Sequence, residues 1–386
     1  MSLAVFVNLN CIAAAISIKN GFIYALALAY LFAIFGHKFI LSKLSKKVYV
    51  VLFLSFFCFL SAFLGESVSI NMDAIKYGGF CIGLGLFVFS GDFIINILYF
   101  LRFVVLIGLL CSPSLLEKSI YLIENLYTVY GNSGTMMGET YAIVIGLLGA
   151  LSLILIDKSR IWQILSILLI VMNSQTIMKI GSRGVFIVLA IFIIFLLCYT
   201  KFHTNRSKFL LLFFSAITTG YIVSNLSEIL ESFNTIAEKF GVEIYALDKA
   251  ISKLEIEDFS SGRINVWENA FNGFLESPLG HWVGSFEARY NLHQHNFILE
   301  LMWNFGVIGL FVGLVIIIKS IKLLLKGDIP RNSFLLYLCV FCSSIVILFY
   351  SSSCWMLPCF YLWIKILVSF KTSTINKPYT LNTLTI

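Results

Sequence analysis

The chain has 386 residues, of which 59% are hydrophobic and 12% are charged. Soluble domains usually carry about 25% charged residues, so this composition excludes an ordinary soluble globular protein. The net charge of +7 indicates unequal loops of a membrane protein and argues against a nucleic-acid partner. Apolar runs near the roughly 20 residues that cross a bilayer core recur throughout. We therefore predict an all-α, polytopic membrane protein, with 1–386 as a single membrane domain.

The predicted elements are a bundle of about 12 transmembrane helices. The first apolar run lacks the basic segment and cleavage site of a signal peptide, so it counts as the first span. With the N-terminus in the cytoplasm, the segments facing the cytoplasm carry more lysine and arginine than those facing outward, as the positive-inside rule requires. In chain order, the predicted spans are 3–18, 21–36, 48–64, 74–90, 93–110, 137–156, 161–178, 185–199, 209–226, 297–318, 333–350 and 355–370.

One polar segment, 227–295, is far longer than the others and is predicted to be a large, partly helical loop facing outward. It contains none of the nine cysteines, so a disulfide-stapled ectodomain is not expected. Cys339 and Cys342 form a CxxC inside an apolar run and are interpreted as packing residues. The sequence has no phosphate-binding loop and no dinucleotide fingerprint, so it predicts no nucleotide-driven motor.

Four segments on the predicted outer side carry residues suited to chemistry. Arg183 lies in KIGSRGVF, and Arg263 lies in FSSGRINVWENAF; ESPLGHWVGSF follows, and LHQHNFILE leads into the tenth span. A guanidinium matches phosphate oxygens, and the helix start beside Arg183 adds positive potential. His295 can accept a proton from a hydroxyl near neutral pH, and Asn296 could orient the imidazole or the substrate. Two arginines and one histidine base describe glycosyl transfer with a diphosphate leaving group.

Each of these residues also has a structural interpretation. Arg183 could extend its charge to the membrane interface, and Arg263 could form a surface ion pair. His293 and His295 could be interfacial residues. The HxH pair could also bind a metal with a third ligand from the loop, but its spacing matches no known metal signature. The candidate third ligands are Glu255, Glu257 and Asp258.

Two further charges are predicted to support the site. Arg102 lies inside the fifth span, where a charge is costly and usually faces a cavity or a partner. Glu139, at the edge of the sixth span, is a candidate partner or substrate contact.

Three segments together resemble bacterial O-antigen polymerases and O-antigen ligases. GSRGVFIVLAIFIIF resembles the motif at the head of one span, and SSGRINVWENAFNGFLESPLGHWVGSF resembles the motif of the long loop. HQHNFILELMWNFGVIGL resembles the segment that follows it. Order and spacing agree over about residues 180–315, whereas the N-terminal half is similar only in hydropathy.

The resemblance implies a multi-pass glycosyltransferase of the bacterial inner membrane, with its active site facing the periplasm. It implies undecaprenyl-diphosphate-linked oligosaccharide repeat units as substrates, and neither a metal nor another cofactor. The family's arginines fall on Arg183 and Arg263, its essential histidine falls on His295, and His293 would be a supporting residue. Besides the lipid bilayer, a chain-length regulator protein is a candidate partner.

The motifs leave the exact reaction open. We expect an inverting O-antigen polymerase, which transfers the growing glycan from undecaprenyl diphosphate onto a lipid-linked repeat unit. An O-antigen ligase, which transfers the finished chain to the lipid A core, shares the motifs. A flippase for lipid-linked oligosaccharides belongs to a different class, and the long loop with its SGR and HN motifs argues against it.

Overall fold

The chain folds almost entirely into α-helices. The structure, a computed structural model, describes residues 1–16, 21–36, 46–64, 71–89, 94–126, 141, 143–180, 183–200, 235, 263–325, 329–350, 353–373 and 383–385. A short antiparallel ladder is the departure from the all-α prediction in this part of the chain: β1 (Ile94–Asn96) pairs with β2 (Thr383–Thr385). The β-branched isoleucines and threonines favour this extended backbone, so the helix predicted from residue 93 begins at Ile97.

The described helices before the long loop overlap the predicted spans, but the one that begins at Ile97 extends to Leu126, beyond the predicted end at 110. They are α1 (Ser2–Val7), α2 (Leu9–Ile16), α3 (Gly21–Gly36), α4 (Lys46–Leu64), α5 (Met72–Phe89), α6 (Ile97–Leu126), α7 (Val144–Ile156), α8 (Arg160–Ile180) and α9 (Arg183–Thr200). The described helices that follow are α10 (Arg263–Glu276), α11 (Ser285–Tyr290), α12 (Phe297–Leu325), α13 (Arg331–Tyr350), a 3₁₀ turn (Cys354–Met356) and α14 (Pro358–Ser373). The predicted ninth span, 209–226, lies outside the described residues.

Several of these helices suit a membrane. Among the described residues, four helical stretches are long and apolar enough to cross a bilayer: Met72–Phe89, Ile97–Lys118, Arg160–Ile177 and Phe297–Leu325. The last is interrupted at Gly306, so the predicted span 297–318 is not one continuous helix. Others are apolar but shorter, such as Val144–Ile156 and Pro358–Ser369. One face of α8 exposes Ile161, Ile164, Ile167, Leu168 and Val171. Such an apolar surface suits lipid rather than water.

The prediction of one continuous first span over 3–18 is wrong. α1 and α2 are separate helices that meet at Asn8, whose side-chain Nδ2 donates to the Ala4 carbonyl at 2.8 Å. A side chain that bonds the preceding turn competes with regular helix formation. Each piece is too short to cross a bilayer core. α1 is instead buried in the protein from Leu3 to Val7.

α13 runs through the core, and its neighbours show the direction of the bundle. Tyr199 near the end of α9 stacks on Phe334 near the start of α13, and Phe195 meets Phe341 one turn or more further along. The two helices are therefore antiparallel. The start of α9 lies toward the end of α13, which leads into the 3₁₀ turn.

Candidate active site

α12 is broken into two arms at Gly306. Gly306 has φ 60° and ψ −141°, a backbone conformation that only glycine adopts readily. The short arm (297–305) folds back along the long arm (307–325): a Cβ added at Gly313 would lie 3.8 Å from the Cα of Ile298. In a straight helix, residues fifteen apart would be separated by about 22 Å. Gly309 allows this approach because it has no side chain. A Cβ there would overlap the Leu301 carbonyl oxygen.

The turn encoded by SPLGH fills the break in α12. The Val307 N–H donates to the Pro278 carbonyl at 3.0 Å, and the His281 N–H donates to the Trp303 carbonyl at 2.6 Å. Gly280 has φ 94° and packs against the backbone of Gly306. A helix break at membrane depth requires such partners for its freed backbone groups. The loop motif and the interrupted helix are therefore parts of one structure.

Trp303 on the short arm joins α10, α11 and α12. A Cβ at Gly273 of α10 would overlap its ring, so α10 approaches closely. His281 stacks on the indole with centroids 4.0 Å apart, and Phe286 of α11 meets it edge-on at 5.0 Å. The indole Nε1–H donates to Ser285 Oγ at 2.8 Å. We call residues 263–305 the loop unit, because these contacts bind its helices together.

α10 and the short arm lie side by side and point the same way. They border a groove of about 580 Å³, lined by Ile264, Trp267, Glu268, Phe271, Asn296, Ile298 and Leu299. Residues near the start of α10 thus face residues at the start of the short arm, and Gly273 near its end faces Trp303. Arg263, the first residue of α10, therefore lies at the same end of the loop unit as His295.

His293 belongs to a hydrogen-bonded set with Glu287 and Tyr77. Its Nδ1 lies 3.0 Å from Glu287 Oε1 and 3.0 Å from the Tyr77 hydroxyl oxygen. The Tyr77 hydroxyl also donates to Glu287 Oε1 at 3.0 Å. The hydrogen bond to Glu287 raises the pKa of His293 despite its partial burial. The sequence pattern does not single out Tyr77 and Glu287, because both are ordinary residues of an apolar helix and an acidic loop.

A second buried carboxylate lies on the short arm. Glu300 accepts hydrogen bonds from the Ser353 hydroxyl and from the Cys354 N–H, the latter at 3.0 Å. It is 3% exposed, and because a carboxylate is costly to bury, Glu300 is a candidate member of the site. Its place in LHQHNFILE, five residues after His295, is the sequence signal that points to it. This contact ties the loop unit to the turn between α13 and α14.

His295 and Asn296 form the entry to the short arm. Asn296 Oδ1 accepts from the N–H groups of Ile298 at 3.0 Å and Leu299 at 3.3 Å, so its amide caps the helix. His295 has φ 51°, in the left-handed region, where non-glycine residues are uncommon and often functional. Its ring centroid lies 6.2 Å from that of His293, with the two rings nearly perpendicular.

Arg183 is the first residue of α9, whose start lies toward the end of α13. That end of α13 leads to Ser353 and Cys354, which bond Glu300 of the loop unit. The bundle therefore places the Arg183 backbone at the same end as Arg263 and the histidines.

Arg102 lies at the other end of α8. It forms a bidentate ion pair with Asp157, with N–O distances of 2.7 and 3.1 Å, and its guanidinium lies 5.2 Å from the Trp162 ring centroid. Because α8 has 21 residues, it separates Trp162 from the region of Arg183 by roughly 30 Å. The structure thus does not bring Arg102 to the histidines. Glu139 lies outside the described residues.

The candidate third ligands of the alternative metal site belong to the part of the loop outside the described residues. Glu255, Glu257 and Asp258 all lie there. In the described part of the chain, no group of three or more His, Cys, Asp or Glu residues is placed to hold a metal ion. Of the proposed ligands, the structure places His293 against Glu287 and Tyr77.

Known proteins give no further guide to this site. No protein-family model, no curated protein and no solved structure matches the chain with significance.

Proposed function

We propose that the chain is an O-antigen polymerase, a glycosyltransferase of about 12 membrane spans with the loop 227–295 and its active site on the periplasmic face of the bacterial inner membrane. It transfers the growing glycan from undecaprenyl diphosphate onto a lipid-linked repeat unit. The supporting observation is that the separate motif segments lie toward the same end of the bundle. The loop unit joins α10, α11 and the short arm through Trp303, and the start of α9 lies at the same end.

The proposed reaction is a single displacement. The hydroxyl oxygen of the acceptor sugar attacks the anomeric carbon of the donor, and the bond from that carbon to the diphosphate oxygen breaks. The diphosphate leaves with the electron pair, the hydroxyl proton passes to an imidazole, and the anomeric configuration inverts. The resemblance assigns this proton transfer to His295.

Arg183 and Arg263 hold the donor diphosphate in this proposal. Each is the first residue of a helix, where the free amides and the helix dipole favour an anion. Positive charge fixed near the leaving oxygen stabilises the charge that develops there. The chain's own residues thus supply the stabilisation that a metal ion provides in other transferases.

The function is tested in a strain that lacks the gene for this chain. We expect its lipopolysaccharide to carry at most one repeat unit on the lipid A core, and complementation should restore the ladder of long chains. Bare core with accumulated lipid-linked polymer would mean a ligase. Repeat units retained at the cytoplasmic face would mean a flippase. Either of these results would overturn the proposal.

A further inference from the structure

We propose that His293 is the general base of the site, that Glu287 is the carboxylate which holds it, and that Tyr77 positions both. This inference rests on the proposed glycosyl transfer and names its proton acceptor, which the resemblance places on His295 instead. Tyr77 comes from α5, in the half of the chain that carries none of the recognised motifs.

The hydrogen bonds fix which nitrogen of His293 can act. Tyr77 gives its single hydroxyl proton to Glu287 Oε1. His293 Nδ1, 3.0 Å from that same oxygen, must then carry its own proton to approach a carboxylate. The neutral imidazole is therefore the Nδ1–H tautomer, which leaves the lone pair on Nε2. A carboxylate behind Nδ1–H, with the lone pair on Nε2, is the arrangement by which a histidine base is oriented in acyl-transfer enzymes.

The two members of the Glu287–His293 dyad differ in burial. The side chain of Glu287 is 6% exposed, whereas that of His293 is 36% exposed. Tyr77 is buried in the main core. The carboxylate is thus shielded from water, which strengthens its interaction with the imidazole, while the imidazole itself remains open to a substrate.

The elements that carry the dyad are held in place by packing. Glu287 lies on the short helix α11, next to Phe286, which packs on Trp303. Gly284, at the start of α11, fits against Asn71 and the Ala74 N–H at the start of α5, where a Cβ would lie 2.9 Å from that nitrogen. α5 then presents Tyr77 one turn later. The protein's own packing therefore holds the dyad in place, as preorganised catalysis requires.

The dyad also accounts for the fate of the proton. Nε2 takes the proton of the attacking hydroxyl, and the imidazolium that forms is stabilised by Glu287. The groups that face His293 are Glu287, Tyr77 and His295, and Glu300 and Lys76 also act on its charge. After transfer the proton leaves to water or to the departing diphosphate. His295, 6.2 Å away, is placed to contact the same sugar.

The test uses the purified full-length protein in lipid and detergent, with undecaprenyl-diphosphate-linked repeat units as substrate. Initial rates of polymer formation are measured from pH 5.5 to 9 and normalised to folded protein. We expect His293→Gln to lower kcat by about 10²- to 10⁴-fold, the usual effect of losing a general base. On the acid side of the pH profile, kcat/KM falls as His293 becomes protonated, and we call this part of the profile the acid limb. In Glu287→Gln the acid limb should move to lower pH, because the group that raises the pKa of His293 is removed.

Two further variants separate catalysis from structure. Glu276→Gln makes the same change of charge at an exposed carboxylate of α10 that pairs only weakly with Arg289, at 3.6 Å; its rates and acid limb should match the wild type. His295→Gln should raise KM more than it lowers kcat and leave the acid limb in place. Glu287→Gln also tests the dyad if His293→Gln does not insert.

The outcomes distinguish this inference from the proposed function. If the wild type forms polymer and both His293→Gln and Glu287→Gln keep its rates and its acid limb, the base is not His293. If the acid limb moves in His295→Gln instead, His295 is the base. If the wild type forms no polymer at all, the proposed function fails, and this assignment fails with it.

Discussion

Two of the ion pairs among the described residues, Arg102–Asp157 and His293–Glu287, differ in their hydrogen bonding and exposure. The Arg102–Asp157 pair is bidentate, and Asp157 also accepts from the Ser159 N–H at 2.9 Å. In the Glu287–His293 pair, one carboxylate oxygen is shared with Tyr77, and the His293 side chain is 36% exposed. The charged groups of Arg102 and Asp157 bond each other and join helices. In the proposed mechanism, the His293 imidazole of the other pair accepts a proton. In the proposed mechanism, such a pair takes part in catalysis only where one of its groups can still reach a substrate.

The largest effect is expected at Arg183 and Arg263, which begin α9 and α10 at the end of the bundle that carries the candidate site. Arg183→Ala and Arg263→Ala should each lower polymer formation by about 10²- to 10³-fold, as expected when a preorganised electrostatic donor is removed. Polymer length is read from gel ladders of complemented strains. Lys in place of either arginine should recover part of the activity, because it keeps the charge but not the planar fork.

Protein levels in the membrane serve as the control for these arginine variants. Normal insertion with long chains intact in both variants would show that neither arginine binds the diphosphate.

A substitution at the break in α12 should disturb the Glu287–His293 pair without changing the charge of either residue. In Gly306→Ala the new Cβ would meet the Pro278 carbonyl at a φ of 60° that alanine rarely adopts. Forcing such a backbone costs about 1–3 kcal/mol before any overlap is counted. We therefore expect lower thermal stability and loss of polymer formation, measured by a thermal shift assay and by the gel ladder.

Gly79→Ala is the matched control for the helix break, because a Cβ there would meet nothing within 4 Å. Equal behaviour of the two alanine variants would contradict the hairpin form of α12.

The Arg102–Asp157 pair should contribute to stability and not to catalysis. Arg102→Leu strands the buried Asp157 carboxylate, and loss of such a hydrogen-bonded partner costs about 1–3 kcal/mol. The variant should melt earlier, while the protein that remains folded polymerises at the wild-type rate.

Arg102→Leu combined with Asp157→Leu should recover stability, since replacing both members of a buried pair by apolar groups is often neutral. A specific loss of kcat in either protein would return Arg102 to the active site.

The smallest effect should appear in the response of the two pairs to pH. Burial alone would raise the pKa of Asp157, but its bonds to Arg102 and Ser159 lower it below the usual 3.8. Its contribution to stability is therefore complete above that value and is lost only in stronger acid. The pKa of His293 is raised above 6.5, chiefly by Glu287. The stability it contributes is complete below pH 6.5 and is lost as the pH rises through the raised value.

Thermal stability and activity should consequently change in opposite directions across neutral pH. Stability should fall slightly as His293 loses its proton, while the rate rises because the neutral imidazole is the base. Melting curves and initial rates from pH 5.5 to 9 measure both. In Glu287→Gln the fall in stability should disappear, and its persistence would show that another group titrates.

Much of the helical layout could be predicted from hydropathy alone. Helices occur at 21–36, 46–64, 72–89 and 331–350, close to the predicted spans, because a helix in lipid must satisfy its own backbone groups and needs an apolar run of fixed length. The breaks could not be predicted in this way. Gly306 lies inside the predicted span 297–318, and the hairpin there depends on the turn at Pro278 filling the gap.

The candidate site could be predicted only in its segments. The HQHN motif located the histidines, but the residue that bonds His293 from α5 lies 216 positions away. Nothing in the local pattern around Tyr77 indicates such a contact, since aromatic residues are frequent in membrane helices. Similarly, Asn296 was expected near the imidazole or the substrate, and its side chain caps the short arm.

Polymer formation by the purified protein tests the central claim most directly. The full chain is incubated with one defined undecaprenyl-diphosphate-linked repeat unit, excess chelator and no nucleoside triphosphate, and the products are separated by length. We expect a ladder of inverted linkages from the wild type and only the starting unit from Arg263→Ala. A wild-type protein that forms no ladder, or forms one only when magnesium or manganese is restored, would contradict the account.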